Sequence, residues 1–304
     1  MKHLHKPLVA AALHFDILLL ALVLFTACGG RVADVVTDTV TDDYGRTVAV
    51  PAHPTRVVSL SPAVTEIIFA LKADSLLVGR TDFCSFPPEA QAIPSIGGIS
   101  NLNIEKILSL QPDLVISGSM VGKKVTDQMD QMGTPMVCVV EKPRFEALYG
   151  NIVAIGRLVN KEHEADSLVE LLKGKVDSLW ADTALSDSHS RPASCYYVVG
   201  FGAGGNFTAG GNTFINDIIR MAGGRNIAED VEGWSYSLEA LVQEDPDFIV
   251  VRREDSAAFC GMKPYNRLTA VRSGHVIGIE SGTLDLQVPR NIDAVLYLRQ
   301  RMSQ

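Results

Sequence analysis

The sequence predicts an α/β fold made of two Rossmann-like lobes joined by one long connector helix. Short apolar runs alternate with amphipathic helices along the chain, which favours a largely parallel sheet. Residues 103–116 return without a gap as residues 237–250. The longest helical tract, residues 145–179, lies between these two copies. Two similar units separated by one long helix are therefore expected.

Each copy of the repeat predicts a short helix followed by a buried strand. Asn103 and Ser237 are favourable N-caps. Pro112 and Pro246 end the helices, because proline disfavours helical geometry in the residue before it. The apolar run that closes each copy is short and uncharged, as in strands buried on both faces. Solenoid repeats recur every 20–50 residues or so, and these copies lie much farther apart, so they indicate two lobes of like design.

The remaining elements follow from hydrophobic periodicity. The first lobe is predicted to contain an edge segment at 48–54, strands at 56–60, 76–79 and 135–140, and helices at 63–71 and 125–132. The second is predicted to contain strands at 195–199 and 276–279, and helices at 214–221 and 291–302. Asn160 is expected to interrupt the connector tract, whose second part, 162–180, would span about 28 Å.

Length and composition indicate a globular chain of two ordinary domains. The protein has 304 residues, of which 47% are hydrophobic and 20% charged. Its net charge of −8 argues against a nucleic-acid partner, because such binding depends on clustered lysine and arginine. The predicted parts are a signal peptide at 1–27, a tether at 28–43, lobes at 44–144 and 190–304, and a connector at 145–183.

The N-terminus has the pattern of a secretory signal. Lys2 and Lys6 give a basic start, residues 17–25 form an apolar run, and small residues follow up to Cys28. The apolar run is shorter than the roughly 20 residues that a membrane-spanning helix needs. Residues 31–43 are polar and acidic, which predicts a tether between this segment and the folded part.

The other cysteines leave a disulfide open. Cys138 and Cys195 lie in predicted strands, where a free cysteine behaves as a small hydrophobic residue. Cys84 and Cys260 lie in predicted loops, and an oxidising compartment would permit them to pair. The sequence does not establish that connectivity.

Several segments together resemble a known family, the periplasmic substrate-binding proteins of ABC importers for cobalamin, haem and ferric siderophores. The matching segments are 56–62 with Thr65 and Glu66, 81–88, 103–116, 208–214, 222–226 and 234–250. The cobalamin-binding branch matches best, through 81–88 and Trp234. Residues 24–28 also resemble the lipobox of bacterial lipoproteins, in which the cysteine, here Cys28, carries the lipid.

The resemblance implies a fold, a location and partners. The family fold consists of two α/β lobes joined by one long helix, with the ligand between the lobes. The chain would be a monomeric, membrane-anchored lipoprotein in the periplasm of a Gram-negative-type bacterium. It would deliver a macrocyclic ligand to a permease dimer with its ATPase, and it would hold no resident cofactor. Glu105 and Glu239 would meet arginines of the permease. Alternatively, each is an acid in a first helical turn, which the helix dipole favours by about 0.3–1 kcal/mol.

The candidate ligand-binding residues lie in loops that follow strands, where open α/β sheets bind ligands. They are Pro62, Phe83, Phe86, Gly98, Ile99, Phe201, Asn206, Phe207, Trp234 and Tyr236. Aromatic walls suit a large flat macrocycle because they bury much area at low entropy cost. For Phe86 and Phe207 the alternative is ordinary core packing. Ile99 and Gly118 stand where the best-known cobalamin binders of this family have tryptophans, so haem and ferric siderophores stay open as ligands.

An enzyme and a metal-ion receptor are the competing classes. The Gly-x-Ser-x-Gly elbow is absent, and the glycine-rich loop 200–205 lacks the later acid that a dinucleotide fingerprint needs. The histidines beyond the signal segment, His53, His163, His189 and His275, are too far apart in sequence for a bare metal site. No catalytic site and no metal site are therefore predicted. In a haem receptor, Tyr236 or His275 would be candidate iron ligands.

Overall fold

Two parallel sheets form the framework of the computed structural model, which describes residues 37–186 and 191–303. The predicted signal peptide, Cys28 and most of the predicted tether lie outside the described residues, as do 187–190. Within the described part, no helix is both long enough and apolar enough to cross a membrane.

The strands confirm the α/β prediction. A hairpin precedes the sheets and is formed by β1 (Thr37–Thr41) and β2 (Thr47–Pro51). The first parallel sheet contains β3 (Val57–Ser59), β4 (Leu77–Arg80), β5 (Leu114–Ser117) and β6 (Met136–Cys138). The second contains β7 (Ala193–Tyr197), β8 (Gly224–Asn226), β9 (Phe248–Arg252) and β10 (Val276–Ile279).

Both sheets have the same topology. Their strand orders are β4-β3-β5-β6 and β10-β9-β7-β8. If the second order is read in reverse, both sheets place the strands of their lobe in the same sequence: the second strand along the chain, then the first, the third and the fourth. The two copies of the repeat supply the third strand of each sheet, β5 and β9, so the prediction of two lobes of like design is confirmed.

The described helices cover these sheets and join the lobes. They are α1 (Pro62–Ala70), α2 (Ile104–Ser109), α3 (Lys123–Gln131), α4 (Ala147–Leu158), α5 (Glu162–Ser186), α6 (Phe214–Met221), α7 (Leu238–Glu244), α8 (Arg253–Gly261), α9 (Thr269–Arg272) and α10 (Asn291–Met302). The sequence analysis did not predict β8, α8 or α9. The connector is interrupted at Asn160, as predicted, where φ is +54°. Its second helix continues to Ser186, beyond the predicted boundary at 183.

The repeat has the predicted helix ends. The side chains of Asn103 and Ser237 each accept a hydrogen bond from the backbone N–H three residues on, at 2.9 and 3.0 Å. Gln111 and Asp245, which precede the two prolines, have left-handed backbones with φ of +47° and +40°. Both helices therefore end where proline excludes a helical residue before it.

The aspartate that closes each copy ties the third strand of its sheet to the start of the first. Asp113 accepts hydrogen bonds from the backbone N–H groups of Thr55 and Arg56, at 2.7 and 2.9 Å. Asp247 accepts from the backbone N–H and the hydroxyl of Ser194, at 2.7 and 2.6 Å. This aspartate has the same structural role in both lobes.

Side chains of the parallel strands alternate between two cores, as the two-residue period of a strand requires. In β5, Leu114 and Ile116 pack in a core that both lobes share, and Val115 packs in a core of the first lobe alone. In β9, Val250 packs in the shared core and Ile249 in a core of the second lobe. The shared core also contains the apolar faces of α4 and α5. The connector is therefore part of one continuous interior.

The boundary predicted between the tether and the fold was wrong. Residues 37–41 form β1, which pairs with β2, and the following Asp42 is buried. The Asp42 carboxylate accepts hydrogen bonds from the Arg46 side chain, at 2.7 and 3.0 Å, and from three backbone N–H groups. Arg46 also donates to the carbonyl oxygen of Met136 in β6, at 2.8 Å. The β1–β2 hairpin thus belongs to the first lobe.

Asp42→Asn is expected to lower the free energy of unfolding by about 1–3 kcal/mol near neutral pH, because Arg46 loses its buried charged partner and keeps only the exposed Asp130. Burial opposes ionisation of the Asp42 carboxylate, but hydrogen bonds from the backbone and side chain of Arg46 outweigh it and lower its pKa. A lowered pKa in the folded state stabilises the fold above the unfolded-state pKa, and this stabilisation is lost as pH falls through the folded-state pKa. Urea unfolding at about pH 7 and about pH 3 should therefore show a difference that shrinks in acid. Asp38→Asn, at an exposed position in β1, is the matched control and should change little. An equal loss at both pH values would contradict the assignment.

Candidate functional site

A cavity of about 850 Å³ lies between the two lobes. Its wall on the first lobe comes from the segments that follow β3, β4, β5 and β6, where the carboxyl ends of parallel strands meet. Its wall on the other side comes from residues 212–214, 233–234 and 281–290. Loops that follow strands, in which the sequence analysis placed the candidate ligand-binding residues, thus form the first-lobe wall of this cavity.

Half of the predicted ligand-binding residues line this cavity. They are Pro62, Phe83, Phe86, Ile99 and Trp234. Phe83 is 61% exposed and Trp234 is 47% exposed, although both are large and apolar. With Met120, which is 74% exposed, they form an apolar rim to which both lobes contribute. Exposed apolar groups gathered at one cavity indicate a surface that a ligand covers.

The other five predicted residues do not line the cavity. Phe201 packs edge-on against Phe259 and Tyr265, with ring centroids 5.3 and 5.9 Å apart. It therefore belongs to the core of the second lobe. Gly98 lies beside Phe83 without lining the cavity itself.

Asn206, Phe207 and Tyr236 make contacts within the second lobe. The Asn206 side-chain amide donates to the carbonyl oxygen of Tyr236, at 3.3 Å. The Tyr236 hydroxyl donates to the carbonyl oxygen of Ile227, also at 3.3 Å. Phe207 bridges to Gly200 and Ser235 through its backbone, and its ring lies over the glycine-rich loop. Loop sequence shows that an aromatic residue is present but not which side of the loop it faces.

The backbone that carries Trp234 is held in place by the neighbouring segment 208–212. The N–H groups of Thr208 and Gly210 donate to the carbonyl oxygens of Trp234 and Gly233, each at 2.8 Å. The Gly233 N–H donates to the side-chain oxygen of Asn212, at 2.8 Å. A Cβ at Gly211 would lie 1.8 Å from the carbonyl oxygen of Glu229, so only glycine permits this close backbone approach.

An ion pair between Glu66 and Arg290 lies in the cavity wall. The guanidinium Nε and Nη2 donate to the two carboxylate oxygens, at 2.7 and 2.9 Å. The guanidinium also lies 4.4 Å from the ring centroid of Phe86, as a cation–π contact. Burial raises the pKa of the Glu66 carboxyl, although Arg290 opposes the shift. The sequence analysis assigned neither residue to the site.

Three other charged residues of the wall have partners. Asp285 accepts hydrogen bonds from the Tyr197 hydroxyl, at 2.6 Å, and from Arg252, at 3.1 Å. Burial opposes ionisation of Asp285, but these two donors outweigh it and lower its pKa. Glu141 accepts a hydrogen bond from the Ser119 hydroxyl, and Lys142 forms an ion pair with Asp43 at 2.9 Å. These single charged residues in loops left no pattern by which the sequence could identify them.

Ile99 and Gly118, where the sequence departs from the best-known cobalamin binders, both line the cavity. A Cβ at Gly118 would lie 2.8 Å from the Ser61 hydroxyl oxygen. A bulky side chain at position 118 would therefore require Ser61 to move. The small residue keeps this part of the cavity open.

The cysteines predicted in loops are both free in the structure. Cys84 belongs to the aromatic loop 81–88 and is fully buried, and its sulfur accepts a hydrogen bond from the Thr65 hydroxyl at 3.1 Å. Cys260 is partly buried in α8. The disulfide that the sequence left open between them is not formed.

Glu105 and Glu239 are at the second position of α2 and α7, and both are exposed. Neither has an ion-pair partner within 4 Å among the described residues. Within 37–186 and 191–303, no group of three or more His, Cys, Asp or Glu side chains is placed to hold a metal ion.

Two parallel α/β lobes around a ligand-sized cavity define a bilobal binding protein. Residues 57–283 match the family described as periplasmic binding protein, and the chain belongs to that family. The family resemblance stated above is confirmed. Because the family and the named relatives are binding proteins, the prediction that the chain is not an enzyme is also confirmed.

Similar proteins cover most of the chain. An uncharacterised ABC transporter substrate-binding lipoprotein of Bacillus subtilis, YvrC, is 28% identical over 298 residues, or 93% of this chain and 94% of its own. A cobalamin-binding protein of Halobacterium salinarum is 28% identical over 265 residues, or 83% of this chain and 70% of its own. A crystal structure of a periplasmic haem-binding protein from Pseudomonas aeruginosa has a TM-score of 0.74 at 26% identity and covers 81% of this chain and 91% of that one.

Proposed function

We propose that this chain is the substrate-binding component of an ABC importer and that it carries cobalamin, or a related corrinoid, to a permease dimer and its ATPase. The ligand assignment rests on a large, aromatic-walled cavity whose described lining includes no tyrosine, histidine or cysteine. The corrinoid is cargo, so the proposal includes no resident cofactor. The protein acts as a monomer in the periplasm, anchored through lipid on Cys28.

The size and walls of the cavity suit a large macrocycle. Small-molecule sites typically enclose about 300–1,000 Å³, and this cavity, at about 850 Å³, is near the upper end of that range. Phe83 and Phe86 from one lobe and Trp234 from the other provide apolar area on both sides. The cobalamin-binding relative from Halobacterium salinarum supports the same ligand class.

The lining argues against a haem ligated by an oxygen or nitrogen donor. Protein-bound haem iron is commonly held by His, Cys, Tyr or Met. The Tyr236 hydroxyl is engaged with a backbone carbonyl away from the cavity. His275 stacks on Phe248, with ring centroids 4.9 Å apart, and does not line the cavity either. Met120 is the one thioether among the described lining residues, and it lies at the exposed rim.

The charge of the wall also distinguishes the ligands. Among the described lining residues, four are acids, Glu66, Asp82, Glu141 and Asp285, and two are bases, Lys142 and Arg290. Haem has two carboxylates, which a wall with an excess of acids disfavours. The corrin ring carries neutral amides at its edge, and their N–H groups can donate to carboxylates. The wall therefore favours the corrinoid.

Haem is the second candidate, because the haem-binding protein from Pseudomonas aeruginosa shares the fold over most of this chain. Isothermal titration calorimetry with cyanocobalamin, hemin and a ferric siderophore separates these possibilities. We expect saturable heat with cyanocobalamin and a dissociation constant between nanomolar and micromolar, about −12 to −8 kcal/mol. No heat with cyanocobalamin, together with saturable heat for hemin or the siderophore, would overturn the assignment.

A further inference from the structure

The Arg290 guanidinium contacts three separate segments of the cavity wall. It donates to Glu66 in α1 through Nε and Nη2, at 2.7 and 2.9 Å. It donates to the Thr283 hydroxyl at 2.9 Å and to the carbonyl oxygen of Gly282 at 3.0 Å. Its face lies 4.4 Å from the ring centroid of Phe86 in the loop after β4. One side chain thus joins two segments of the first lobe to the loop before α10.

The ion pair is an unpromising source of net stability. The side chains of Glu66 and Arg290 are only 5% and 16% exposed. Removing both charges from water costs free energy that a buried pair often fails to recover. The raised pKa of the Glu66 carboxyl agrees, because burial outweighs the attraction of Arg290. The orientation that the pair imposes on the Arg290 guanidinium therefore explains it better than a gain in folding stability.

The contact with Phe86 makes the orientation of Arg290 relevant to the binding cavity. The Phe86 side chain is 41% exposed in the cavity wall, and the guanidinium is the cation that lies against its ring. A planar guanidinium held by two carboxylate oxygens has a fixed orientation, which a lysine ammonium cannot reproduce. The face that Arg290 presents to the ring is therefore fixed by Glu66.

We propose that Arg290 is a positioning residue of the binding cavity, which is anchored by Glu66 and the loop 281–286 and holds Phe86 in the arrangement that the ligand meets. The proposal rests on the function proposed above for this cavity. Glu66 fixes the orientation of the Arg290 guanidinium, and the guanidinium in turn fixes the position of the Phe86 ring. Arg290 itself need not contact the ligand.

A double-mutant cycle on cyanocobalamin affinity tests this assignment. Arg290→Lys should weaken binding about tenfold, a coupling within the range for residues in contact. Phe86→Ala should weaken it as well. In the Phe86→Ala background, Arg290→Lys should have little further effect, because the residue through which it acts is gone. Additive losses in the double mutant would overturn the proposal. Glu66→Gln removes the charge but keeps the shape, and it should weaken binding by a similar factor. It replaces Arg290→Lys in the cycle if the lysine variant folds poorly.

A second interlobe ion pair provides the matched control. Arg144 pairs with Asp217 at 3.0 Å but does not line the cavity. Arg144→Lys should leave the affinity unchanged, whatever it does to the melting temperature. Hydrogen–deuterium exchange of the ligand-free protein gives a readout that needs no ligand. Arg290→Lys should increase exchange in 81–88 and 281–288, and Arg144→Lys should not; unchanged exchange in both segments would overturn the proposal.

The experiments distinguish failure of the proposed function from failure of the positioning role of Arg290. If the unmodified chain binds hemin and not cyanocobalamin, the corrinoid assignment is wrong, and the same cycle measured with hemin decides the role of Arg290. If cyanocobalamin binds but the cycle is additive, the function stands and the positioning role is wrong.

Discussion

Replacing Trp234 by alanine is expected to weaken cyanocobalamin binding by about 2 kcal/mol or more, the loss typical of a buried aromatic anchor. The ring lines the cavity and is 47% exposed without ligand, so binding would cover it. The fold should survive, because the backbone of this segment is held by hydrogen bonds that the side chain does not make. Calorimetry gives the affinity, and thermal unfolding confirms that the variant is folded.

Phe207→Ala is the matched control for this experiment. Phe207 is also an exposed aromatic residue of the second lobe, at 37%, and the sequence assigned it to the same site. Because it does not line the cavity, its removal should leave the affinity unchanged. If the stability of Trp234→Ala collapses while the folded fraction binds normally, Trp234 is a core residue and the site is misplaced.

The double variant Glu105→Ala/Glu239→Ala should fold and bind ligand normally but lose transport. The two sheets share one topology, and each glutamate is at the second position of the helix before the third strand. The pair is thus related by the same pseudo-symmetry as the lobes, and the proposed permease dimer would offer a true twofold pair of sites. Truncating one partner of a buried charge pair at an interface commonly costs about 2 kcal/mol or more of binding free energy. We expect a loss of roughly that size for each glutamate.

Binding to the permease in nanodiscs measures this effect directly. Higher salt should weaken the complex of the unmodified protein, because charges at the rim of an interface are screened over about 8 Å at physiological ionic strength. Asp166→Ala/Glu170→Ala, on exposed positions of α5, makes the same change in net charge and should not alter docking. A Glu105→Ala/Glu239→Ala variant that docks and transports normally would reduce both glutamates to acids favoured by the helix dipole.

The repeat made the architecture predictable. Its helix ends depend on local chemistry, namely the caps at Asn103 and Ser237 and the prolines that follow. The polar strand β1 was missed because its composition resembles a tether, although its threonines and valine are β-branched residues that favour strands. The caps and prolines thus predicted the helix ends correctly, whereas the polar composition of β1 concealed a strand that its β-branched residues favour.

The site was predictable only in part, because a cavity is built from long-range contacts. The aromatic loop at 81–88 identified Phe83 and Phe86, since aromatic residues in a connection are unusual. Phe201 occurs in a similar setting but turns into the core of its lobe. Glu66 and Arg290 are 224 positions apart, and nothing in either segment encodes their meeting. Side-chain direction in loops and ion pairs across the chain need the tertiary structure.

The shared core limits where the chain can be cut into fragments that are expressed separately. The apolar faces of α4 and α5 share one core with strand residues of both lobes, so neither lobe keeps a closed interior without the other. A fragment that ends before β7, or one that begins there, would expose a wide apolar surface to water. Such halves are poor candidates for separate expression, whereas co-expressed halves could recover solubility by reassociating through that surface. The two lobes look like independent domains in the sequence but share one core in the structure.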